Sequence, residues 1–385
     1  MKILFVLNSL YIKGNGLATS AQHTIQALKD AGQDVRVLAA ANADPNGPQP
    51  EYPMQQIDVP IIQPMLSSFG YHFTEWKGPQ VEAAVRWADV VHIEEAFYLQ
   101  RSAIRWAHKL GKPITGTYHL HPENIFCNIG MKNWHLAHQI QINHWCRNYF
   151  DHCLYLQCPT EMVRQRMIRH HVKAECFTLS NGLMPTKCLR PLTPPADYLN
   201  ENRPLKLLYV GRIAVEKDQP TLFKAIRYSK YAHRIQLQLA GRGPETENYT
   251  RMANKLYEDG VVKYKPQVGF YSHEELQQLA AKADLAVHCA FVEVEGLSIM
   301  EALQQAVTPV IAVAHLSGSS EYALDDRSKF PAQNPKALAE KIDYWFDHPE
   351  ERWQMGFKYA ELMKNYEIAA SAKGLIEMFK KAVAK

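Results

Sequence analysis

The first forty residues, MKILFVLNSLYIKGNGLATSAQHTIQALKDAGQDVRVLAA (1–40), contain the pattern of a strand, a helix and a second strand. Residues 3–7 are consecutive apolar residues, and a loop with Gly14 and Gly16 follows them. The helix predicted over 18–31 carries its apolar residues on one face, and residues 35–40 form the second predicted strand. Such βαβ units predict a parallel sheet that is covered by helices on both faces.

The same alternation continues along the chain, stops at a proline-rich stretch and then begins again. We therefore predict an α/β fold with two Rossmann-like parallel-sheet domains that face each other across a cleft. Residues 1–190 form the predicted N-terminal domain, and residues 191–204 are the predicted linker. Residues 205–365 form the predicted C-terminal domain. We expect the helix 366–385 to pack back on the first domain.

Composition excludes several classes of protein. The formal net charge of +4 is small for 385 residues, so no nucleic-acid partner is expected. The longest apolar runs are far shorter than a membrane span. Lys2 is followed by only five apolar residues, which indicates a first strand and not a signal peptide. Seven irregularly spaced cysteines indicate a reducing compartment, and we expect a cytoplasmic protein.

Candidate binding residues follow predicted strands. Ligands of open parallel sheets bind beyond the carboxyl ends of the strands. Arg212 and Lys217 follow the strand 205–210 and precede a helix, where two cations complement a diphosphate, although a solvated basic loop is the alternative. The glycine loop that ends at Gly16 is either an anion site or a plain turn. Thr19 stands where a dinucleotide fingerprint needs glycine, so NAD is not expected.

Two carboxylates, Glu293 and Glu301, stand eight residues apart around a glycine turn. Such spacings also arise by chance. Here, however, the pair follows the predicted strand 285–288 and leads into a helix. Carboxylates in that position can accept hydrogen bonds from sugar or ribose hydroxyls.

With these residues, the chain resembles the retaining glycosyltransferases of the GT-B fold, in the large group with the E-x7-E signature that is called family 4. The order and spacing of the matching segments carry the resemblance. These segments are the early glycine loop and residues 89–93, 112–119, 180–183, 210–217, 240–244 and 293–301.

The resemblance implies a nucleotide-sugar donor and a role for each matching residue. Arg212 and Lys217 would bind the diphosphate, Glu301 the ribose and Glu293 the sugar ring, while His119 would lie near the reacting sugar. The catalytic residues implied are His119, Arg212, Lys217 and Glu293. The donor-binding residues implied are Gly16, Arg212, Lys217, Val268, Glu293, Gly296, Leu297, Ser298 and Glu301. Ala306 and Asp218 stand where the family usually has glycine.

The activity implied is metal-independent transfer of a hexose, with retention, from a UDP-sugar to a glycan or lipid acceptor, such as a cell-envelope glycan. No cofactor and no metal site are expected, because the histidines and cysteines between His119 and His171 form no standard ligand motif. Two alternatives stay open: a nucleotide-sugar epimerase or hydrolase of the same fold, and a non-catalytic sugar-nucleotide binding subunit.

The acceptor is expected to meet loops of the N-terminal domain, namely residues 44–64, residues 66–80 and the loop after His119. The segment 161–173 carries four basic residues, among them Arg166, against a single acid. It is predicted to be a basic amphipathic helix that contacts the inner face of the cell membrane peripherally, or an ordinary surface helix that packs on the sheet.

Overall fold

The computed structural model describes residues 1–12, 16–57 and 73–385, which form two compact units. The first unit comprises Met1–Pro122, Trp134–Met184 and Glu367–Lys385, and the second comprises Glu123–Asn133 and Pro185–Tyr366. Parts of three predicted segments lie outside the described residues: Gly14 and Asn15 of the glycine loop, and residues 58–72 of the two candidate acceptor loops.

Parallel strands form the centre of the first unit. The described strands are β1 Lys2–Val6, β2 Asp34–Ala40, β3 Tyr52–Met54, β4 Gln56–Ile57, β5 Phe73–Thr74, β6 Val90–Ile93, β7 Ile114–Thr117, β8 Tyr155–Cys158 and β9 Glu175–Thr178. Within the described residues, seven of them pair in parallel in the order β3-β2-β1-β6-β7-β8-β9. β1 lies between β2 and β6. Its residues after Lys2 are apolar and buried, as a central strand of a parallel sheet requires.

Helices cover both faces of this sheet: Gly16–Asp30, Pro79–Trp87, Tyr98–Lys109, His135–Asn148, Glu161–Arg169 and Ile368–Val383. The last of these belongs to the first unit although it ends the chain. Its Phe379 is fully buried and meets the ring of Phe5 edge-on, with 6.4 Å between the ring centroids. Leu375 and Leu28 belong to the same core cluster, so the C-terminal helix completes the core of the first unit.

The second unit repeats the arrangement with β10 Leu205–Val210, β11 Ile235–Ala240, β12 Gln267–Gly269, β13 Leu285–His288, β14 Val292–Glu293, β15 Thr308–Val313, β16 Leu316–Ser317 and β17 Lys329–Pro331. In this part of the described chain, six of these strands pair in parallel in the order β12-β11-β10-β13-β15-β17. The predicted α/β class with two parallel sheets is therefore confirmed.

The helices of the second unit are Gln219–Tyr228, Thr246–Glu258, His273–Lys282, Leu297–Leu303, Pro335–Asp347 and Pro349–Met363, and a further helix, Pro122–Asn128, enters this unit from the first. None of the helices within residues 1–12, 16–57 and 73–385 combines the length and the apolar character needed to cross a bilayer.

The helix in the basic segment 161–173 is shorter than predicted, and one of its basic residues faces the interior. The helix ends at Arg169, and Arg166 is buried, with its guanidinium 2.7 Å from His121 Nδ1. Amphipathic spacing distinguishes two faces of a helix. It does not show that Arg166 lies on the packed face, where His121 supplies a polar partner for its guanidinium.

Both positions at which the resemblance leads us to expect glycine adopt the left-handed backbone conformation. The φ angle is 52° at Asp218 and 58° at Ala306. Glycine adopts this conformation without steric cost, which explains why it is usual there. Aspartate tolerates the conformation better than most residues, and Thr221 Oγ1 donates to Asp218 Oδ2 at 2.7 Å. Ala306 is fully buried and has no such compensation.

We expect Ala306→Gly to raise the free energy of unfolding by about 0.5–1 kcal/mol. Relief of the left-handed strain is worth about 1–2 kcal/mol, and the extra entropy of glycine in the unfolded chain costs about 0.5–1 kcal/mol. Thermal and urea unfolding measure the change. Ala225→Gly, in the middle of the helix Gln219–Tyr228, is the matched control and should lower stability by about 1 kcal/mol or more. Equal losses in both variants would contradict the strain at Ala306.

Candidate functional site

Gly211 directly follows β10 and Gly241 directly follows β11, so the backbone can approach closely where the two strands end. A Cβ atom at Gly241 would lie 1.9 Å from the carbonyl oxygen of Gly211, so no other residue fits at position 241. Gly211 itself has a φ of 148°, which L side chains rarely adopt. This turn directs the chain into the loop that carries Arg212, at the edge where ligands of parallel sheets bind.

Arg212 is held by a buried carboxylate. Its Nη2 donates to Glu216 Oε1, four residues later, and its carbonyl oxygen accepts from Gln219 Nε2 at 2.9 Å. Glu216 is fully buried, and its second oxygen accepts from Asn128 Nδ2 at 2.7 Å. The pairing fixes the guanidinium at the strand end and satisfies a carboxylate that would be costly to bury alone.

Lys217 and Glu293 form a second ion pair at the same edge. The Lys217 ammonium donates to Glu293 Oε2, and His288 Nε2 lies 3.5 Å from the same oxygen. Burial by itself would raise the pKa of the Glu293 carboxyl. The Lys217 ammonium and His288 lower it by more than burial raises it, so the pKa lies well below its usual range. Glu293 is therefore an ionised acceptor at neutral pH.

The signature that begins at Glu293 continues through a turn into a short helix. Gly296 has a φ of 99° and begins the helix Leu297–Leu303. Ser298 Oγ donates to the carbonyl oxygen of Val210 at 3.1 Å, which ties this helix to the end of β10. Glu301, on the same helix, lines a small pocket with Val210, Ser298 and His273. Burial raises the pKa of its carboxyl.

A second polar cluster lies in the first unit, around His119. Glu94 is buried at the end of β6 beside two histidines: its Oε2 accepts from His119 Nε2, and His92 Nε2 lies 3.0 Å from its Oε1. Burial by itself would raise the pKa of the Glu94 carboxyl. His119 and His92 lower it by more than burial raises it, so the pKa lies well below its usual range. Glu94 is therefore ionised and can only accept hydrogen bonds.

The hydrogen-bond network assigns the protons in this cluster. Gln157 Nε2 donates to the carbonyl oxygen of Leu179 at 3.0 Å, so its Oε1 accepts the Thr117 hydroxyl proton at 2.7 Å. Thr117 Oγ1 must then accept from His92 Nε2, at 2.9 Å. His119 Nε2 likewise carries a proton because its partner is a carboxylate. In the neutral imidazole this leaves His119 Nδ1 as an acceptor.

Each unit thus brings together some of the predicted site residues. Arg212, Lys217, Glu293, Gly296, Leu297, Ser298 and Glu301 lie at or beyond the carboxyl ends of β10 and β13 in the second unit, and Val268 lies half-buried in β12. His119 belongs to the first unit, as does Gly16, which is exposed at the start of the helix Gly16–Asp30.

Sequence reasoning assigned no role to Glu94, Glu216 or His288. A signal was present for each of them: Glu216 stands four residues after Arg212, and His288 ends a predicted strand. Glu94 could have been found as the first residue after the strand Val90–Ile93. Within the described ranges, no group of three or more histidine, cysteine, aspartate or glutamate side chains is arranged to hold a metal ion.

Two family models match adjacent parts of the chain. Residues 195–361 match the model described as "Glycosyl transferases group 1", and residues 14–186 match "Glycosyltransferase Family 4". The boundary between the two matches falls close to the predicted linker.

Individual proteins with known names are similar over most of the chain. The α-monoglucosyldiacylglycerol synthase of Streptococcus pneumoniae is 25% identical over 325 residues, which are 81% of this chain and 71% of that protein. The glycogen synthase of Mycobacterium tuberculosis is 25% identical over 342 residues, 81% of this chain and 77% of that protein.

Two solved structures show the same fold over nearly the whole chain. Sucrose-phosphate synthase from Thermosynechococcus elongatus has a TM-score of 0.70 at 16% identity, covering 100% of this chain and 99% of its own. The Anabaena protein HepE, solved in complex with UDP and glucose, has a TM-score of 0.67 at 15% identity, covering 99% of this chain and 100% of its own.

We expect Glu94→Gln to lower the free energy of unfolding at pH 7 by about 1–3 kcal/mol, because it removes the charge that both histidines face. The pKa of Glu94 is depressed in the folded state. Its stabilising contribution is therefore fully present above the unfolded value of about 4.3 and is lost as pH falls below it.

Urea unfolding between pH 7 and pH 3 tests this expectation, and the difference between wild type and variant should shrink as the solution becomes more acidic. Glu82→Gln is the matched control in the same unit, because Glu82 pairs with Arg86 at the surface and its loss should cost below about 1 kcal/mol. A difference that stays constant down to pH 3 would show that Glu94 is not the ionised partner of the histidines.

Proposed function

Because the chain belongs to the group 1 glycosyltransferases of the GT-B fold, we propose that it transfers a hexose from a UDP-sugar to a glycan or lipid acceptor, with retention of configuration and without a metal or cofactor. The observation that supports this proposal most directly is the pair of cations, Arg212 and Lys217, at the carboxyl edge of the second sheet. Each is already held by a buried or nearly buried carboxylate.

The two cations would stabilise the leaving diphosphate. Negative charge grows on the phosphate oxygens as the bond to the sugar breaks, and fixed donors at that place lower the barrier. Arg212 offers a planar guanidinium that binds phosphate bidentately, and Lys217 offers a compact point charge. The backbone at Gly16 is proposed to assist at the diphosphate.

Glu293 would exchange partners when the donor binds. The Lys217 ammonium that it now accepts from can turn to the diphosphate, which leaves the carboxylate to accept from hydroxyls of the donor sugar. His288, 3.5 Å behind the same oxygen, would keep that carboxylate ionised during the exchange. The proposed role of Glu293 is thus to orient the sugar ring.

The remaining donor contacts follow the resemblance. Glu301 would bind the ribose hydroxyls, the backbone N–H groups of Gly296, Leu297 and Ser298 the phosphates, and Val268 the base. The choice of UDP is supported by the fold relative HepE, whose structures contain UDP and glucose or UDP-glucose. For retention, we propose that the acceptor attacks from the leaving-group face and that a phosphate oxygen takes its proton, while His119 Nδ1 accepts from a hydroxyl of the reacting sugar.

The acceptor is proposed to be a lipid or glycolipid. One relative is named for the synthesis of a monoglucosyldiacylglycerol, a lipid-linked sugar. The first unit also exposes a row of large apolar side chains, Trp134, Leu136 and Ile140, at and beyond the start of the helix His135–Asn148. The sequence of this helix contains no acidic residue. We propose this row, and no longer the segment 161–173, as the peripheral contact with an anionic membrane.

Two other functions are distinguished by their products. An epimerase or hydrolase would convert a UDP-sugar with no acceptor present. A binding subunit would retain the donor without any turnover. The paired cations and carboxylates of the second unit favour catalysis over binding alone, since an ionised Glu293 beside a movable ammonium is poised to exchange partners.

Arg212→Ala and Lys217→Ala should each lower kcat with UDP-glucose and a diacylglycerol acceptor by about 10²–10³-fold, because each removes a donor to the leaving diphosphate. Arg227→Ala, which breaks a surface pair with Asp259 in the same unit, is the control and should retain normal turnover.

Release of glucose or of an epimer from the donor alone would favour the first alternative. Binding of UDP-glucose without turnover across a panel of acceptors would favour the second. Normal rates in both Arg212→Ala and Lys217→Ala would contradict the assigned roles.

Leu136→Glu and Ile140→Glu should each weaken binding to vesicles of anionic phospholipid by about tenfold or more, because an exposed apolar side chain that would enter the membrane is replaced by a charge that the membrane repels. Gln139→Glu introduces the same charge on an exposed position of the same helix and should have a smaller effect. Cosedimentation measures the binding. Equal losses in all three variants would show that charge alone, and not apolar contact, is responsible.

A further inference from the structure

A cavity of about 350 Å³ lies at the amino edge of the second sheet. Lys206, at the start of β10, and Asp284, immediately before β13, both line it. Arg212 and Glu293 follow the opposite, carboxyl ends of the same two strands. The cavity is therefore separate from the proposed donor site and plays no part in the function proposed above.

Positive charge exceeds negative charge around this cavity. Of the described residues that line it, four are cationic, Arg190, Arg203, Lys206 and Lys282, and two carry carboxylates, Asp197 and Asp284. Asp197, Lys206 and Lys282 are exposed, whereas Asp284 is buried. Buried charges are costly unless they are paired, so the partners of Asp284 determine how much charge is left over.

Asp284 is fully occupied by other residues. Arg203 binds it bidentately, at 2.9 and 2.7 Å, and its Oδ2 also accepts the backbone N–H of Lys206 at 2.8 Å. The buried Arg352 lies 3.4 Å from its Oδ1. One buried carboxylate thus serves two guanidinium groups already.

Among the residues described in the structure, no carboxylate forms an ion pair or hydrogen bond with Arg190. It is 4% exposed, and its Nη2 donates to the carbonyl oxygens of Ala283 and Ala280. The guanidinium stacks on Trp353, 4.8 Å from the ring centroid. Among the residues that the structure describes, its Nε has no hydrogen-bond partner. Burial lowers the pKa of Arg190 to about 10, which reflects a positive charge without sufficient compensation.

The walls and size of the cavity restrict what it can hold. The aromatic side chains of Tyr198 and Trp353 and three prolines supply apolar surface beside the cations. A volume of about 350 Å³ is at the lower end for small-molecule sites and suits a group the size of one sugar ring. The surplus of two positive charges matches a phosphate monoester, which carries a charge of about −1.5 to −2 at neutral pH.

We propose that this cavity binds a phosphate monoester, with the phosphate at Arg190 and Lys206 and the attached group against Tyr198 and Trp353. Arginine suits phosphate because its planar donors match the phosphate oxygens, and the bound anion would neutralise a guanidinium that the fold buries without a carboxylate. A sugar phosphate in solution and the head group of phosphatidic acid share this chemistry.

Titration calorimetry on the full chain tests the proposal with two probes, glucose 6-phosphate and vesicles that contain phosphatidic acid. At least one probe should bind, and glucose alone should not. Arg190→Gln and Lys206→Gln should each weaken that binding by about tenfold or more, because each removes a charge-assisted hydrogen bond. Lys336→Gln, an exposed lysine of the same unit that does not line the cavity, should bind normally.

Two variants show whether a probe binds in this cavity and not elsewhere on the protein. Lys217→Ala alters the proposed donor site and should leave the binding of the probe unchanged, whether or not the proposed function holds. Lys206 is exposed, so its variant reports on the cavity even if Arg190→Gln disturbs folding, which the melting temperature shows. Absence of binding by both probes up to about 10 mM, or binding that Lys217→Ala abolishes and Lys206→Gln leaves intact, would overturn the proposal.

Discussion

Parallel pairing of β10 with β11 and β13 determines where the candidate donor-site residues of the second unit lie. Parallel strands bring all their carboxyl ends to one edge, and glycines at the ends of β10 and β11 allow the chain to turn there with backbone atoms in contact. Arg212, Lys217 and Glu293, which stand up to 81 residues apart in the sequence, meet at that edge for this reason. The same pairing brings the amino ends together at the opposite edge, where the cavity around Arg190 is formed.

Buried charge is balanced differently at these two edges of the sheet. At the carboxyl edge, Arg212 pairs with Glu216 and Lys217 pairs with Glu293, so each cation has a carboxylate of its own. At the amino edge, Arg203 and Arg352 share the single buried carboxylate of Asp284, and the buried Arg190 nearby bonds only backbone carbonyl oxygens among the described residues. The first arrangement suits a ligand that exchanges partners within existing pairs, and the second suits an anion that completes an unbalanced cluster. In the first unit, the buried carboxylate of Glu94 faces the imidazoles of His119 and His92.

Local sequence patterns were sufficient for the central strands of both sheets, which apolar runs marked, but not for the strands toward the sheet edges, β3, β8, β9, β12 and β17. Strand-end positions made Arg212, Lys217 and Glu293 candidate site residues, because ligands of parallel sheets bind beyond the carboxyl ends of the strands. The same patterns could not show that Arg166 turns inward, since its partner His121 lies 45 residues away, or that Asn128 holds Glu216 from 88 residues away. The glycine pattern of the family marked positions 218 and 306, and the left-handed backbone found there supplies the physical reason.

The sequence by itself therefore determined the fold class, the two sheets and the chemical nature of the groups at their edges, because these depend on hydrophobic periodicity and on residues that are close in the chain. Only the tertiary structure decided how each charge is partnered: which carboxylate holds Lys217, which proton His119 carries, and that Arg190 is buried without a carboxylate. Such partners come from distant segments, and their energies depend on burial and on distances of a few ångströms, which no local pattern encodes.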